Sequence, residues 1–217
     1  MDSPFRELPA LTPASAIARQ LGAYLATAVL VAALGAALRG GLPPLGFALR
    51  LTDFGLGVAG VAVYIAYNGL LGAVLRRSSW GSDMLRWLSQ RNATLFGKLP
   101  LWTLFLMATV AGVGEEIIFR GWLQPIAGLW LTSALFAALH FLPTRYRWSH
   151  PVTWRMAAVY FPVGLAVGAL YQWRGNLLAP MLTHWLSDSL GLLTLTAASR
   201  RSRPLQSGPQ PPMNKPT

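Results

Sequence analysis

The sequence predicts an all-α membrane protein, a bundle of about six transmembrane helices with one interfacial amphipathic segment. Of the 217 residues, 53% are hydrophobic and 12% are charged, whereas soluble domains carry about 25% charged residues. Apolar stretches of about 20 residues, the length that crosses a bilayer, recur along the chain. The chain contains no cysteine, which excludes disulfides, thiolate metal sites and cysteine nucleophiles.

Six stretches have the composition and approximate length of membrane spans. They are residues 18–38, 54–75, 99–122, 127–143, 157–173 and 177–198. The apolar core of the first is longer than the usual signal-peptide core of about 7–15 residues, which favours an uncleaved anchor over a signal peptide. Over residues 84–98, apolar and aromatic residues alternate with basic ones. This pattern predicts a helix lying in the membrane interface, or a basic loop with membrane-facing aromatics.

The distribution of these spans predicts a single integral-membrane domain over residues 1–198, with a motif core at 110–190. Residues 199–217 are basic and rich in Pro, Gln and Ser, and we expect a disordered cytoplasmic tail. Six spans place both termini on one side, together with fourteen of the eighteen basic residues. The positive-inside rule then puts both termini in the cytoplasm. The Ala-, Gly- and Arg-rich composition is typical of bacteria, so we expect a bacterial cytoplasmic membrane.

The net charge of +11 arises from basic residues between apolar runs and in the tails. This placement favours contact with anionic lipid headgroups and excludes nucleic acid as the expected partner. Nothing in the sequence sets an oligomeric state.

The acidic residues indicate where function lies. Four of the seven, Asp2, Glu7, Asp53 and Asp83, fall in predicted tails or loops. The other ionisable groups of interest fall inside apolar spans: Glu115, Glu116, His140, His184 and Asp188. A charged side chain at the centre of a spanning helix costs about 2.5–3.5 kcal/mol. Adjacent glutamates within a span therefore predict a functional site, unless both are solvated at the water interface.

The spacing of these residues predicts local pairs. Arg120 follows Glu116 by four residues, so an α-helix brings the two to one face, with Glu115 rotated by about 100°. His184 and Asp188 have the same spacing, and on an α-helix they share a face. Each observation also has a structural explanation, because a lone histidine packs in many helices and a His–Asp pair can satisfy itself inside a bundle.

Depth within the membrane links the three helices. Measured from the same membrane face at about 1.5 Å per residue, Glu115 lies roughly 13 Å deep, His140 roughly 18 Å and His184 roughly 9 Å. Ionisable groups at similar depth on three helices are better explained by a shared site than by three separate packing solutions. Gly112 and Gly114, which precede the glutamates, allow close approach of a neighbouring helix.

Three chemistries fit this set of side chains. A carboxylate beside an imidazole can deprotonate water as a general base, while a second imidazole stabilises an oxyanion. Alternatively, two histidines and a glutamate can hold zinc with one position open for water. Proton relay in a transporter uses the same residue types, so the residue types alone leave these alternatives open.

Three ordered motifs resemble one known family. Glu-Glu-x-x-x-Arg at Glu115–Arg120, Phe-x-x-x-His at Phe136–His140 and His-x-x-x-Asp at His184–Asp188 resemble the CPBP family. This family, also called Abi, comprises the CAAX-prenyl-protease and bacteriocin-processing intramembrane proteases. The motifs occur in the family order on separate predicted spans. Relatives often carry Asn at the position of Asp188, and the prenyl-processing members have more spans than six.

The resemblance implies an intramembrane endopeptidase whose site lies inside a helical bundle. It implies that Glu115 activates water with help from His140, that Arg120 holds Glu116, and that His184 and Asp188 shape the oxyanion side. The family has been described both as glutamic proteases and as metalloproteases. A metal-free site is the expectation here, and the zinc ligands would otherwise be Glu115, His140 and His184.

The resemblance also shapes the expected substrate, a membrane-embedded or lipid-anchored protein or peptide. Sorting or processing of C-terminal membrane anchors is one candidate role, and the charge distribution places the nearer mouth of the site on the extracytoplasmic side. Two alternatives from other classes are a non-enzymatic immunity or scaffold protein and a proton-coupled transporter. A transporter predicts internal pseudo-symmetry, and no internal repeat is evident in the sequence.

Overall fold

The structure, a computed structural model, describes residues 12–141 and 151–201. These residues form helices and no strand, which confirms the predicted all-α class. The helices are α1 (Pro13–Arg39), α2 (Leu51–Leu75), α3 (Ser79–Phe96), α4 (Leu101–Glu115), α5 (Gln124–Phe141), α6 (Pro151–Arg174) and α7 (Leu178–Arg201), with a π-helical segment (Glu116–Leu123) between α4 and α5. Helix α7 runs three residues into the predicted tail, and the rest of that tail lies outside the described residues.

The protein is an integral membrane protein. Within the described residues, four helical stretches are long and apolar enough to cross a membrane: Pro13–Arg39, Leu51–Leu75, Leu101–His140 and Thr153–Arg174. The third stretch covers most of two predicted spans, 99–122 and 127–143, of which residues 142 and 143 lie outside the described residues. Helix α7 covers all but the first residue of the predicted last span but is not among these four, so six spans remain a prediction.

The chain reverses direction at Gly128, between the two predicted spans of the third stretch. Gly128 has φ 79° and ψ 167°, a backbone conformation that favours glycine because it has no Cβ. In an uninterrupted helix, Phe119 and Phe136 would lie about 25 Å apart along the axis. Their ring centroids are 5.2 Å apart. The helical segments before and after Gly128 therefore fold against each other as a hairpin. This brings the Phe-x-x-x-His motif of α5 beside the Glu-Glu-x-x-x-Arg motif that begins at the end of α4.

The segment between the second and third predicted spans forms helix α3. The hydroxyl of Ser78 caps its first turn by accepting a hydrogen bond from the Gly81 N–H at 3.0 Å. Arg86 and Asp83 form an exposed ion pair on one side, while Met84 and Leu95 are buried on the other. A helix with one polar and one buried side agrees with the expected amphipathic segment rather than with a loop.

Helix α7 lies between α2 and α4, and α5 packs on α6. At the α4–α7 contact, a Cβ on Gly112 would lie 2.7 Å from the Cα of Trp185, closer than any side chain allows. The absence of a side chain at this position sets the close approach of the two helices. On the other side of α7, the hydroxyl of Thr183 donates to the carbonyl of Gly57 in α2 at 3.1 Å. These contacts fix α7, which carries His184.

Asp53 corrects the sequence analysis, which placed it in a loop. It lies in the first turn of α2 and is fully buried. Arg174 Nε lies 2.6 Å from its Oδ1, and the side-chain amide of Asn176 donates to its Oδ2 at 2.5 Å. The Asn176 amide also exchanges hydrogen bonds with the backbone of Ala48. This network ties the loop before α2 to the start of α7. The buried charge of Asp53 is tolerated because it is paired with Arg174.

The glycine at the α4–α7 contact gives the first testable prediction. Gly112→Ala should lower the free energy of unfolding by about 1–3 kcal/mol, the usual cost of overpacking, because the new Cβ meets backbone atoms that cannot move aside. Gly69→Ala, on the open side of α2 where a Cβ meets nothing within 4 Å, is the matched control. Thermal unfolding in detergent micelles measures both. Equal Tm values for the two variants would contradict the packing argument.

Candidate active site

The six predicted site residues lie in one layer of the bundle. Glu115 ends α4, Glu116 and Arg120 lie in the π-helical segment, His140 lies near the end of α5, and His184 and Asp188 lie on α7. The oxygen of Glu115 and ring nitrogens of His140 and His184 lie within 4.8 Å of one another. The structure therefore brings the three motifs together.

The glutamates lie where an α-helix gives way to a π-helical turn, which differs from the single α-helix expected over 99–122. Over Glu116–Leu123 the backbone follows the wider π pattern, which often marks functional sites. The wider turn changes the angular spacing of the side chains. Nevertheless Glu116 and Arg120 still meet, with Arg120 Nε 3.4 Å from Glu116 Oε2.

The Glu116–Arg120 pair is almost completely removed from solvent, with the Glu116 side chain 0% and the Arg120 side chain 1% exposed. Arg120 also reaches the Gly164 carbonyl of α6 at 3.4 Å and lies 4.1 Å above the Phe136 ring of α5. A buried charge is tolerated only when it is paired, and the aromatic face adds a further attraction to the guanidinium. The pair thus links the π-helical segment to two other helices.

His184 is oriented by Glu116. Its Nδ1 lies 2.8 Å from Glu116 Oε1. An ionised carboxylate paired with arginine can only accept hydrogen bonds, so Nδ1 carries the hydrogen and donates it. The other ring nitrogen, Nε2, then faces Glu115 Oε2 at 3.9 Å and Asp188 Oδ2 at 3.5 Å.

His140 is oriented in an equivalent way by the backbone. Its Nδ1 lies 2.8 Å from the carbonyl oxygen of Phe136, which can only accept, so Nδ1 donates here as well. The ring lies against Phe136 and Tyr160, with centroid distances of 4.3 and 4.8 Å. Its Nε2 is left 3.4 Å from Glu115 Oε2.

Glu115 Oε2 lies at the centre of this arrangement. It is buried and accepts no hydrogen bond from any of the described residues. The Nε2 atoms of His140 and His184 face this oxygen at 3.4 and 3.9 Å. A proton, a water molecule or a cation among the three atoms would give Oε2 the partner that a buried polar atom needs.

A small cavity adjoins the α7 side of the cluster. It has a volume of about 20 Å³, enough for one water molecule, and its lining includes His184, Ser187 and Asp188. The Ser187 hydroxyl is buried and has no hydrogen-bond partner among the described residues. A larger groove of about 260 Å³ between α4 and the second half of α7 is lined almost entirely by apolar side chains and by none of the six site residues.

The sequence analysis missed Tyr24, which supplies a fourth helix to the site. Its hydroxyl donates to Glu115 Oε1 at 2.5 Å. The signal was present in the sequence, because Gln20 and Tyr24 are spaced four residues apart in a largely apolar span. Neither residue belongs to one of the three motifs, and both side chains occur commonly in helices for packing alone.

The three Glu and His side chains also fit a metal. Two histidines that donate from Nδ1 to an oxygen acceptor and present Nε2 inward are typical of zinc sites, as is a carboxylate as third ligand. The unpartnered Oε2 of Glu115 is consistent with such a role. The donor set therefore suits either a water molecule or a cation.

Comparison with known proteins finds a family that is similar to part of this chain. The family described as type II CAAX prenyl endopeptidase Rce1-like matches residues 97–190. The chain is also 33% identical over 99 residues to a Bacillus subtilis (strain 168) protein described as "Uncharacterized protein YpbD", an alignment that covers 46% of this chain and 49% of that protein. The chain thus spans about half the length of this curated relative. No solved structure matches the chain.

The matched segment runs from just before α4 into α7 and contains all six predicted site residues, whereas α1 and α2 lie outside it. The resemblance predicted from the ordered motifs is therefore confirmed: residues 97–190, which carry the motifs, are similar to the Rce1-like CAAX-protease family.

Proposed function

We propose that the protein is an intramembrane endopeptidase that hydrolyses a peptide bond of a membrane-associated protein or peptide. The observation that carries this proposal is the buried, unpartnered Oε2 of Glu115 between the Nε2 atoms of His140 and His184. A carboxylate and two imidazoles that converge in this way suit water activation, and they lie in a segment of an endopeptidase family.

In the proposed reaction, a water molecule binds among these three atoms. Glu115 Oε2 takes one of its protons, with His140 Nε2 accepting a hydrogen bond from the same water and orienting it. The water oxygen then attacks the carbonyl carbon of the peptide bond and forms a tetrahedral oxyanion. The proton held by Glu115 passes to the amide nitrogen, the C–N bond breaks, and a carboxylic acid and an amine leave.

The proposed role of the α7 pair is to stabilise the oxyanion. A protonated His184 donates from Nδ1 to Glu116 and has Nε2–H free to donate to the developing negative charge. Asp188 Oδ2 lies 3.5 Å from that Nε2, so it holds the ring at the oxyanion side. The two glutamates then have separate roles, Glu115 in proton transfer and Glu116 in orienting His184.

Zinc is the alternative occupant. Glu115, His140 and His184 would hold it, and a bound zinc ion would polarise the substrate carbonyl as a Lewis acid. We propose the metal-free route, in which Tyr24 holds the second oxygen of Glu115 and leaves Oε2 as the base.

The proposed substrate is a membrane-embedded or lipid-anchored protein or peptide. This proposal is supported by the depth of the site in a helical bundle whose apolar stretches suit a bilayer, and by the family description. Sorting or processing of C-terminal anchors is the candidate role. We also propose a single domain over residues 1–198 in a bacterial cytoplasmic membrane, with both termini in the cytoplasm.

Loss of the proposed base gives the main test. Glu115→Gln should lower the cleavage rate by at least about 10²-fold, since the amide cannot accept the proton from water. Mass spectrometry would compare protein termini in membranes of cells that carry either the wild-type or the variant chain and no other copy. Asp83→Asn removes an exposed carboxylate on α3 in the same way and is the matched control. Equal cleavage by wild type and Glu115→Gln would rule out the protease proposal.

The metal question has its own prediction. A zinc chelator should leave the cleavage rate of the purified protein unchanged, and elemental analysis should find well under one zinc per active chain. Conversely, loss of cleavage that added zinc restores would replace the metal-free route by one in which the same three side chains are ligands.

The supporting role of Arg120 is tested through stability. Arg120→Leu should lower the free energy of unfolding by about 3–5 kcal/mol, because Glu116 would remain buried without its partner. Arg86→Leu breaks the exposed pair with Asp83 and should change the free energy of unfolding by no more than about 1 kcal/mol. Chemical unfolding in micelles provides the comparison. Similar losses for both variants would show that the buried pair contributes no more than a surface pair.

A further inference from the structure

We infer that Tyr24 and Gln20 of α1 are positioning residues of the active site, which hold Glu115 so that only its Oε2 is available to activate water. This inference rests on the proposed function. It concerns a helix outside the family match, which begins at residue 97.

The contact between Tyr24 and Glu115 joins two distant parts of the chain. The Tyr24 hydroxyl lies 2.5 Å from Glu115 Oε1, a short distance typical of a hydroxyl that donates to a charged carboxylate. Because Oε1 is engaged, the carboxylate cannot rotate freely about its last bond. The same carboxylate leaves Oε2 facing the two histidines at 3.4 and 3.9 Å.

Gln20 fixes the direction of this hydrogen bond. Its amide nitrogen donates to the Tyr24 hydroxyl oxygen at 3.1 Å and to the Met107 carbonyl at 2.9 Å, which uses both amide hydrogens. The hydroxyl oxygen therefore already accepts a hydrogen bond, and its single hydrogen is directed to Glu115. A defined chain of donors runs from α1 to the catalytic carboxylate.

The two side chains lie on the face of α1 that packs against the bundle. Tyr24 packs against the buried cluster that contains Val31 of the same helix and Ile118 of the π-helical segment. Most of the remaining apolar surface of α1 is exposed, including Leu25 and Leu30. The polar contacts thus lie on a side of α1 that packs against the described helices.

The membrane makes this contact more important than it would be in water. In lipid, a carboxylate oxygen without water must receive its hydrogen bond from another protein group. Tyr24 supplies that hydrogen bond from a side chain of α1 rather than from a solvent molecule. A base held in this way keeps its reactive oxygen within reach of the bound water.

The test uses a pair of matched tyrosine variants. Tyr24→Phe removes only the hydroxyl and should slow release of the wild-type cleavage product by about 10- to 100-fold, the usual effect of losing a partner of a catalytic group. Tyr67→Phe removes a hydroxyl that donates to the Val159 carbonyl of α6 at 2.6 Å. It loses a comparable hydrogen bond and should cleave at the wild-type rate.

Two further measurements do not depend on Tyr24→Phe folding normally. Gln20→Leu keeps the tyrosine and should slow cleavage by a smaller factor, because the hydroxyl loses its direction but not its hydrogen. In addition, 3-fluorotyrosine at position 24 should change its ¹⁹F shift on Glu115→Gln and keep it on Asp83→Asn. That signature reports the contact without any substrate.

The outcomes separate the inference from the proposed function. Wild-type cleavage by Tyr24→Phe, or equal slowing by Tyr24→Phe and Tyr67→Phe, overturns the positioning role while Glu115→Gln remains inactive. An unchanged ¹⁹F shift on Glu115→Gln overturns the contact itself. If wild type releases no product that Glu115→Gln lacks, the proposed function fails, and the role of Tyr24 in it fails too.

Discussion

The buried ion pair of Glu116 and Arg120 is the interaction on which the rest of the site depends. Through Glu116 it holds His184 of α7, and through Arg120 it contacts the Phe136 ring of α5 and the Gly164 carbonyl of α6. A buried pair often stabilises a fold less than apolar packing would. Its value here lies in orientation, since it sets which nitrogen of His184 faces Glu115 and ties together the helices that carry the motifs.

Orientation of both histidines has a chemical consequence. Each ring has Nδ1 engaged with an acceptor, the carboxylate of Glu116 for His184 and the Phe136 carbonyl for His140. Each Nε2 therefore faces Glu115 Oε2, which has no hydrogen-bond partner among the described residues. In the bilayer, where bulk water is scarce, such a buried unpartnered oxygen favours retention of a single water or cation. A cavity of about 20 Å³, large enough for one water molecule, lies on the α7 side of His184.

Much of this arrangement could be predicted from the sequence, because two properties of an ionisable side chain in a membrane span constrain it strongly. These are the free-energy cost of its burial in the membrane and its depth there. Ionisable residues such as Glu115, His140 and His184 are expensive in apolar spans, and helical rise alone placed them at similar depth. The reversal near Gly128 likewise followed from span length. These inferences need only the number of residues along each helix, which can be counted in the sequence.

Other features depend on partners that spacing cannot reveal. Asp53 was assigned to a loop, yet it is fully buried because Arg174 and Asn176, more than a hundred residues away, satisfy both of its oxygens. The π-helical turn after Glu115 likewise has no sequence signature, since it arises where side-chain contacts outweigh the regular hydrogen-bond ladder. In both cases, tertiary contacts override the local structure that the sequence alone would predict.

The site draws on both the part of the chain that the family model matches and the part that it does not, because the buried carboxylate of Glu115 needs hydrogen-bond partners. The six site residues all lie in residues 97–190, the segment that the family model matches, but a carboxylate in lipid needs donors for both oxygens or a solvent path to reach them. Within the motif helices, Glu115 Oε1 has no other donor among the described residues, and α1 supplies one through Tyr24. A helix that is mostly exposed and weakly packed can thus be essential to the geometry of the site. Its contribution is a single directed hydrogen bond from Tyr24, a residue that lies outside all three motifs.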